Sequence, residues 1–367
     1  MPVIKSIYAL TGVVLSLLIA SCGEKDNQSQ NENGSVEQQS YHWKLVTSWP
    51  KNFPGLGLAP EKFAEYVNQM SNGRLTVTVF GAGEIVPGLE VFDAVSQGTV
   101  QMGHSGAYYW KGKIPASPIF SAMPFGMTAT EFNAWITYGG GQALWEEMYK
   151  PFGILPMLGG SSGAQFSGWF NKEINSIDDL KGLKMRLPGI GGEVLERVGG
   201  VPVTIVGGEI FSSLQSGALD ASEWVGPYND LSFGFHQVAK YYYSTIWHEP
   251  GTSLEFLINE KAFNALPKNL QHIVKLATKA ANQSTFDEYN ARNHNALTTL
   301  INEHNVEVKT LPQDVINELK VITEEVINEQ IAADENFAKV WASYSEFLAS
   351  MRKYHQLTLL EYYKNRG

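Results

Sequence analysis

One short pattern occurs twice in this chain, and it constrains the fold more than any single residue does. Val91-Phe92-Asp93-Ala94-Val95 runs through Gln97-Gly98-Thr99 into Val100 and Met102, and Ile210-Phe211-Ser212-Ser213-Leu214 runs through Gln215-Ser216-Gly217 into Ala218-Leu219-Asp220-Ala221. Each copy reads as a short helix, a glycine turn and a short strand. A duplicated unit predicts two similar α/β lobes; a chance echo between short α/β units is the alternative. The stretch before the first copy agrees with an α/β body. Ala59, Phe63, Tyr66, Val67 and Met70 share one helical face, Asn72-Gly73 breaks it, and Leu75, Val77 and Val79 then alternate with threonines as in a half-buried strand.

The amino terminus belongs to another class of segment. Residues 1–21 carry Lys5, an apolar run from Val13 to Ile19 and then small residues before Cys22, the pattern of a secretory signal. The run is shorter than the roughly 20 residues of a membrane span. Ile19-Ala20-Ser21-Cys22 looks like the lipobox of bacterial lipoproteins, so Cys22 is expected to be the lipidated first residue of a periplasmic, membrane-anchored protein; an ordinary signal with an accidental cysteine is the alternative. As Cys22 is the only cysteine, no disulfide can form within the chain. Residues 22–40 hold almost no apolar side chain and read as a flexible tether. The body is expected over residues 41–311 as two interleaved α/β lobes. A formal net charge of -10, more negative once the leader is gone, argues against nucleic acid as a partner and makes any anion contact depend on local donors.

Residues 312–367 predict a long C-terminal helical extension. From Gln313 to Arg366 there is neither glycine nor proline, and Val315, Leu319, Ile322, Val326, Ile327 and Ile331 keep helical spacing, followed by Phe337, Val340, Tyr344 and Leu348. An unbroken helix would reach about 80 Å at 1.5 Å per residue, well beyond one lobe. It therefore bends, with Ala332 to Asn336 as the expected break, or it crosses onto a partner subunit. The apolar and aromatic content beyond Ala332 favours the crossing and a C2 homodimer.

Chemistry concentrates in a few loops. Leu219 to Asp230 drops Glu223 and Trp224 into a Gly/Pro-broken segment, and Arg186 closes a short alternating run just before Pro188-Gly189, where a fixed cation suits a carboxylate ligand. Gln165, Glu223 and Glu249 are flanked by aromatics and glycines, unlike solvated surface groups, and as oxygen donors they suit a hard cation such as sodium or calcium. Each taken singly also reads as a hydrogen-bonded polar residue at a lobe junction. The histidines are dispersed, with no His-Glu-x-x-His, which argues against a zinc enzyme. Gly159-Gly160-Ser161-Ser162-Gly163 fits the elbow of serine hydrolases, with Ser161 as nucleophile and His236 or His248 downstream. The strands expected on both sides, Gly153 to Leu158 and Gln165 to Phe170, favour a plain Gly/Ser loop there.

Several longer motifs, in this order, carry a family resemblance: Met102-Gly103-His104, Tyr108-Tyr109-Trp110, Pro124-Phe125-Gly126-Met127, Gly168-Trp169-Phe170-Asn171-Lys172-Glu173-Ile174, Leu183-Lys184-Met185-Arg186, Gly207-Gly208-Glu209-Ile210-Phe211, Glu223-Trp224-Val225-Gly226-Pro227-Tyr228-Asn229-Asp230 and Trp247-His248-Glu249-Pro250-Gly251. Over most of Tyr41 to the end the chain resembles the extracytoplasmic solute-binding subunits of tripartite ATP-independent periplasmic (TRAP) transporters, and is most similar to the branch that binds 2-oxo acids or lactate with a metal ion. The resemblance implies a two-lobed, periplasmic-binding-protein-like α/β fold that performs no chemistry, closes over a small 2-oxo or 2-hydroxy monocarboxylate and hands it to a membrane permease. It assigns Arg186 to the substrate carboxylate, side-chain oxygens of Gln165 and Glu223 and the backbone carbonyl of Trp224 to the metal, and Tyr108 or Tyr109 to the ligand from the other lobe. Glu249 becomes a further metal ligand, and Asn171 stands where other branches place an asparagine on the substrate. Metal-dependent members are similar in pairing through swapped C-terminal helices. An organic-acid sensor subunit and a secreted serine hydrolase using Ser161 are the competing readings.

Overall fold

The computed structural model describes residues 39–367, so the expected signal sequence, Cys22 and nearly all of the expected tether lie outside the described residues. Its strands are β1 (Tyr41–Thr47), β2 (Leu75–Phe80), β3 (Met102–Ser105), β4 (Ile154–Gly163), β5 (Gly168–Phe170), β6 (Lys184–Arg186), β7 (Val201–Val203), β8 (Ala221–Ser222), β9 (Tyr241–Tyr243), β10 (Thr252–Asn259) and β11 (Glu307–Lys309). They form two sheets, ordered β2-β1-β3-β10-β4 and β11-β9-β5-β8-β6-β7.

The echo in the sequence is a real topological repeat. In the first sheet β1, the helix Leu58–Met70, β2, the helix Val91–Ser96 and β3 make a parallel unit with β1 in the middle. In the second, β6, the helix Gly189–Arg197, β7, the helix Ile210–Ser216 and β8 make the same unit with β6 in the middle. Two antiparallel strands extend each: β10 then β4 beside β3, and β5 then β9 beside β8. Gly98 and Gly217, the turn glycines of the two copies, both sit at φ 75°, a conformation that ends the helix without a Cβ clash. The lobes interleave because β4 of one sheet leads into β5 of the other, and β9 leads back into β10.

Local patterns hold where burial enforces them. Ala59, Phe63 and Val67 are buried as the helical spacing requires, while Met70 at its end is exposed. One expectation is corrected. Gly159 to Gly163 is the buried end of β4, paired with β10 across two register shifts, and is no loop. A Cβ on Gly159 would lie 2.6 Å from the Glu255 backbone, so the glycines allow a close, bulged pairing that would be blocked for other residues. The strand expected from Gln165 shortens to β5, leaving Gln165 in the crossover between sheets.

Two helical devices tie the lobes. The helix Lys268–Asn302, about 50 Å long at 1.5 Å per residue, buries Leu270, Val274 and Ala281 with Phe63 and Phe256 in the first lobe. Further along it buries Tyr289 and Leu300 with Trp169 and Ile210 in the second. The C-terminal extension breaks at Asp334, inside the expected window, where the Asp334 carboxylate accepts the Phe337 N–H at 2.6 Å. Its first helix, Gln313–Ala333, lies against Gly189–Arg197, with Arg197 paired to Glu329 at 2.6 Å. Its second, Glu335–Leu357, folds back over Ala129–Tyr138 and Gly141–Tyr149 and buries Phe337, Val340, Tyr344 and Leu348. The apolar stripe that favoured a crossing is thus covered by the chain itself as far as Leu348. Beyond it Tyr354, Leu357, Leu360, Tyr362 and Tyr363 are exposed.

The clamp has a polar fastening that can be removed. The Tyr344 hydroxyl accepts the Met127 N–H at 2.7 Å. Tyr344→Phe leaves that buried N–H without a partner, and urea unfolding is expected to show a loss of about 1–3 kcal/mol. An unchanged midpoint would mean that the bond contributes nothing.

Candidate functional site

The two repeated units direct their strand ends at one place. In open α/β sheets the groups beyond the carboxyl ends of the strands form the binding crevice. Here β6 ends in Arg186, β8 is followed by Glu223 and Trp224, and β3 is followed by a single 3₁₀ turn carrying Tyr108 and Tyr109. The two crossovers supply the remainder, Gln165 between β4 and β5 and His248-Glu249 between β9 and β10. Because β6 and β8 are parallel with Arg186 opposite Ser222, the next residue of β8's chain, Glu223, falls beside the guanidinium.

Arg186 is 1% exposed, with both terminal nitrogens hydrogen-bonded and Nε buried without a partner. Nη1 donates to Glu223 Oε2 at 2.6 Å and to the Glu223 carbonyl at 3.3 Å, while Nη2 donates to the Tyr109 hydroxyl at 3.0 Å. Its guanidinium carbon lies 4.8 Å from the centre of the Trp224 ring. The Tyr109 contact joins the first lobe to the second. Glu223, His248 and Glu249 present ligand atoms within 4.8 Å of one another, all buried. Thr252 donates to Glu249 Oε2 at 2.5 Å, the Gln165 N–H donates to the Glu249 carbonyl at 3.0 Å, and Gln165 Nε2 donates to Ser162 Oγ at 2.8 Å. Among the described residues, Gln165 Oε1, Glu223 Oε1 and both ring nitrogens of His248 are buried with no hydrogen-bond partner.

The charges do not balance. Burial pushes the Glu223 carboxyl up to about 7 against the opposing pull of Arg186, and burial together with neighbouring Glu223 pushes Glu249 to about 7. Burial lowers the Arg186 guanidinium, but the surrounding Tyr109 and Glu223 oxygens outweigh it and hold it above its ordinary value. His248 is held down at about 4 by burial and is neutral. One guanidinium thus faces two carboxyls. Oxygens with unfilled lone pairs beside a surplus carboxyl make a donor set for a hard cation. Gln165, Glu223 and Glu249 fit such an ion, and a cation there would offset the charge that Arg186 leaves over.

Of the residues singled out from sequence, Arg186, Gln165, Glu223, Trp224, Glu249 and Tyr109 come together, and Tyr108 packs edge-on against Tyr109 with ring centres 4.6 Å apart. Asn171 does not join them. β5 runs antiparallel to β8, so Asn171 sits at the opposite strand end from Glu223, its N–H donating to the Asp220 carbonyl at 2.9 Å. Its side chain lines a surface pocket with His236 and His304. Ser161 is no elbow either. It lies within β4, donates to the Thr252 carbonyl at 2.8 Å and accepts the Gly163 N–H at 3.2 Å. Two site residues escaped the sequence reading. His248 reads in sequence as a hydrolase histidine and as part of the Trp247-to-Gly251 motif, with no ligand role, and the structure sets it against Glu223 and Glu249. Trp49, whose ring centre lies 6.0 Å from that of Trp224 and 6.2 Å from that of Tyr109, follows β1 with no local signal except its size.

Known proteins share this arrangement of elements. The model for bacterial extracellular solute-binding proteins, family 7, matches residues 45–334. The chain is 40% identical over 336 residues to a monocarboxylate 2-oxoacid-binding periplasmic protein of Nostoc sp., covering 91% of this chain and 92% of that one. A TRAP periplasmic solute binding protein from Pseudoalteromonas atlantica, solved with bound sodium and pyruvate, is similar with a TM-score of 0.87 and 42% identity, over 89% of this chain and 99% of that one. Another from Colwellia psychrerythraea, solved with bound calcium and pyruvate, has the same TM-score of 0.87 and 42% identity, over 89% of this chain and 100% of its own.

The surplus carboxyl has a pH signature. An acid whose folded pKa is raised to about 7 from an ordinary 4.5 favours the fold while protonated; that contribution is complete below about 4.5 and is lost as pH rises through about 7. In chelated protein, Glu249→Gln should therefore match wild type in unfolding free energy near pH 4.5 and exceed it by about 3 kcal/mol at pH 8. Parallel pH profiles for the two proteins would contradict this.

Proposed function

Because the chain belongs to the bacterial extracellular solute-binding proteins of family 7, we propose that it is the solute-binding subunit of a TRAP transporter, capturing a small 2-oxo or 2-hydroxy monocarboxylate together with a sodium or calcium ion. The observation that carries this reading is the buried, lobe-spanning cluster in which Arg186 stands beside unpartnered oxygens of Gln165 and Glu223. Relatives solved with pyruvate and sodium or calcium support the choice of ligand and ion.

The residues divide the work by charge. Arg186 offers a planar fork to the substrate carboxylate, which lysine, a point charge, cannot reproduce. Gln165 Oε1, the Glu223 carboxylate, the Trp224 carbonyl and Glu249 would hold the cation, which would supply positive charge to offset the surplus carboxyl and attract the acid. With Glu223 offset in this way, Arg186 is free to turn from Glu223 to the incoming acid. Tyr109 reaches Arg186 from the first lobe, so ligand capture and lobe closure reinforce each other. No bond of the acid is made or broken. The closed protein delivers it to the membrane permease from the periplasm, anchored through lipidated Cys22, with residues 22–40 as the tether that gives it reach.

The second copy of the chain is the remaining partner. Exposed Tyr354, Leu357, Leu360, Tyr362 and Tyr363 make an apolar end to the extension, suited to an isologous C2 contact.

Calorimetry with pyruvate tests the acid and the cation together. Wild type should bind with sodium or calcium present and lose binding after exhaustive chelation in sodium-free buffer; equal binding in both would defeat the metal-bridged model. Arg186→Ala removes charge-assisted hydrogen bonds of about 1.5–3 kcal/mol each, so a pair lost implies roughly 10²- to 10⁴-fold weaker binding with unchanged circular dichroism. For the dimer, light scattering of the unlipidated protein at micromolar concentration should give twice the chain mass, and L357E with L360E should give the mass of one chain while pyruvate binding persists. A wild type of single-chain mass would rule the pairing out.

A further inference from the structure

The site has a polar side and an aromatic side. Gln165, Glu223, His248 and Glu249 form the first. Trp49, Tyr109 and Trp224 form the second: Tyr109 and Trp224 touch the Arg186 guanidinium, and Trp49 packs against both of their rings. If the carboxylate and 2-oxygen of an acid take the arginine and the oxygen donors, its carbon chain is left to the aromatic side. We propose that Trp49, held in place by His104, is the wall that limits how long that carbon chain can be; this rests on the solute-binding reading above.

The geometry that carries this is a relay with one possible proton arrangement. Trp49 Nε1 donates to His104 Nδ1 at 2.9 Å, so Nδ1 is an acceptor and the ring proton sits on Nε2, which donates to the Gly159 carbonyl at 2.8 Å. His104 is fully buried, and burial holds it down at about 4, so it is neutral at ordinary pH and the arrangement persists. The single polar atom of Trp49 is thereby tied to the sheet, away from the cleft, and its apolar surface is what remains for Tyr109 and Trp224. An indole so fixed cannot swing aside at low cost, because turning it leaves both Nε1 and His104 Nδ1 buried without partners. Trp49 belongs to the first lobe and Trp224 to the second, and their rings meet at 72°. On closure the wall therefore stands against the arginine side and limits the depth open to a side chain. His104 acts through Trp49 and is a positioning residue. Gly159, which anchors it, lies in the bulged part of β4 that leads into the Gln165 crossover.

The experiment measures dissociation constants for pyruvate, 2-oxobutanoate, 2-oxopentanoate and 4-methyl-2-oxopentanoate by calorimetry with saturating calcium. A methylene in an apolar pocket is worth roughly 10- to 200-fold in discrimination. Trp49→Leu should move the ratio of pyruvate to 4-methyl-2-oxopentanoate affinity at least about 10-fold toward the longer acid. Trp49→Phe, a milder change in case the leucine variant does not fold, should move it in the same direction by less. His104→Leu removes the acceptor and should also shift the ratio, whereas His104→Gln, which keeps one, should restore the wild-type ratio. A merely structural role for either residue would weaken all four acids alike; that outcome, or an unchanged ratio in folded Trp49→Phe and His104→Leu, overturns the wall while leaving the solute-binding reading intact. If wild type binds none of the four acids, the reading beneath the wall falls and the wall falls with it.

Discussion

A buried arginine paired with one carboxyl, with a second carboxyl buried close by, is the constraint on which the cleft depends. Arg186 and Glu223 are each almost completely removed from water, and a single ion pair at 2.6 Å could satisfy them. Glu249 spoils that balance, since it brings a second carboxyl into the same space with only Thr252 donating to its side chain. Burying a charge without a partner is costly, and a protein built only for stability would use apolar residues here. The cluster makes physical sense as a site left incomplete, whose missing charges arrive with a ligand and a cation.

Everything around the cluster serves to keep it dry and to let it open. The two parallel units bring Arg186, Glu223, Tyr108 and Tyr109 to strand ends that face one another, and the exchanged strands β4–β5 and β9–β10 place Gln165 and Glu249 in segments that pass from one lobe to the other. Those crossovers are where relative motion of the lobes must be absorbed, so the donors they carry are sensitive to closure. The helix Lys268–Asn302 packs on both lobes, and the C-terminal extension lies over both from outside. At the mouth, Lys111 of the first lobe pairs with Glu193 of the second, and Glu193 also accepts from Gln330 of the extension at 2.7 Å. Closure of the cleft and seating of the extension thus share a residue.

Much of this was legible before any coordinates. Helix Leu58–Met70, strand β2, the break at Asp334 and the duplicated unit all announce themselves through periodicity and glycine placement, because these are local consequences of burying one face of an element. Gln165, Glu223 and Glu249 stand out because polar groups set among aromatics and glycines are out of place on a solvated surface, and Arg186 because it closes a short alternating run just before Pro188-Gly189. The misreadings share a cause as well. Gly159 to Gly163 looks like a loop because glycine is usually a loop residue, and only the approach of Glu255 from another strand explains its use in a sheet. Asn171 is assigned by resemblance to other branches, yet antiparallel β5 carries it to the strand end away from Glu223.

What the sequence determined by itself is the set of elements, the compositional break near Tyr41 and the types of group available to a ligand, since each follows from neighbours along the chain. What only the tertiary structure decided is which groups share a volume: that His248 joins the two carboxyls, that Trp49 rather than Asn171 packs against Trp224 and Tyr109, and that the extension folds back over its own lobes. Those facts depend on strand order, antiparallel register and the exchange of strands between sheets, which bring together residues as distant as Trp49 and Trp224 and leave no mark on the sequence around either one.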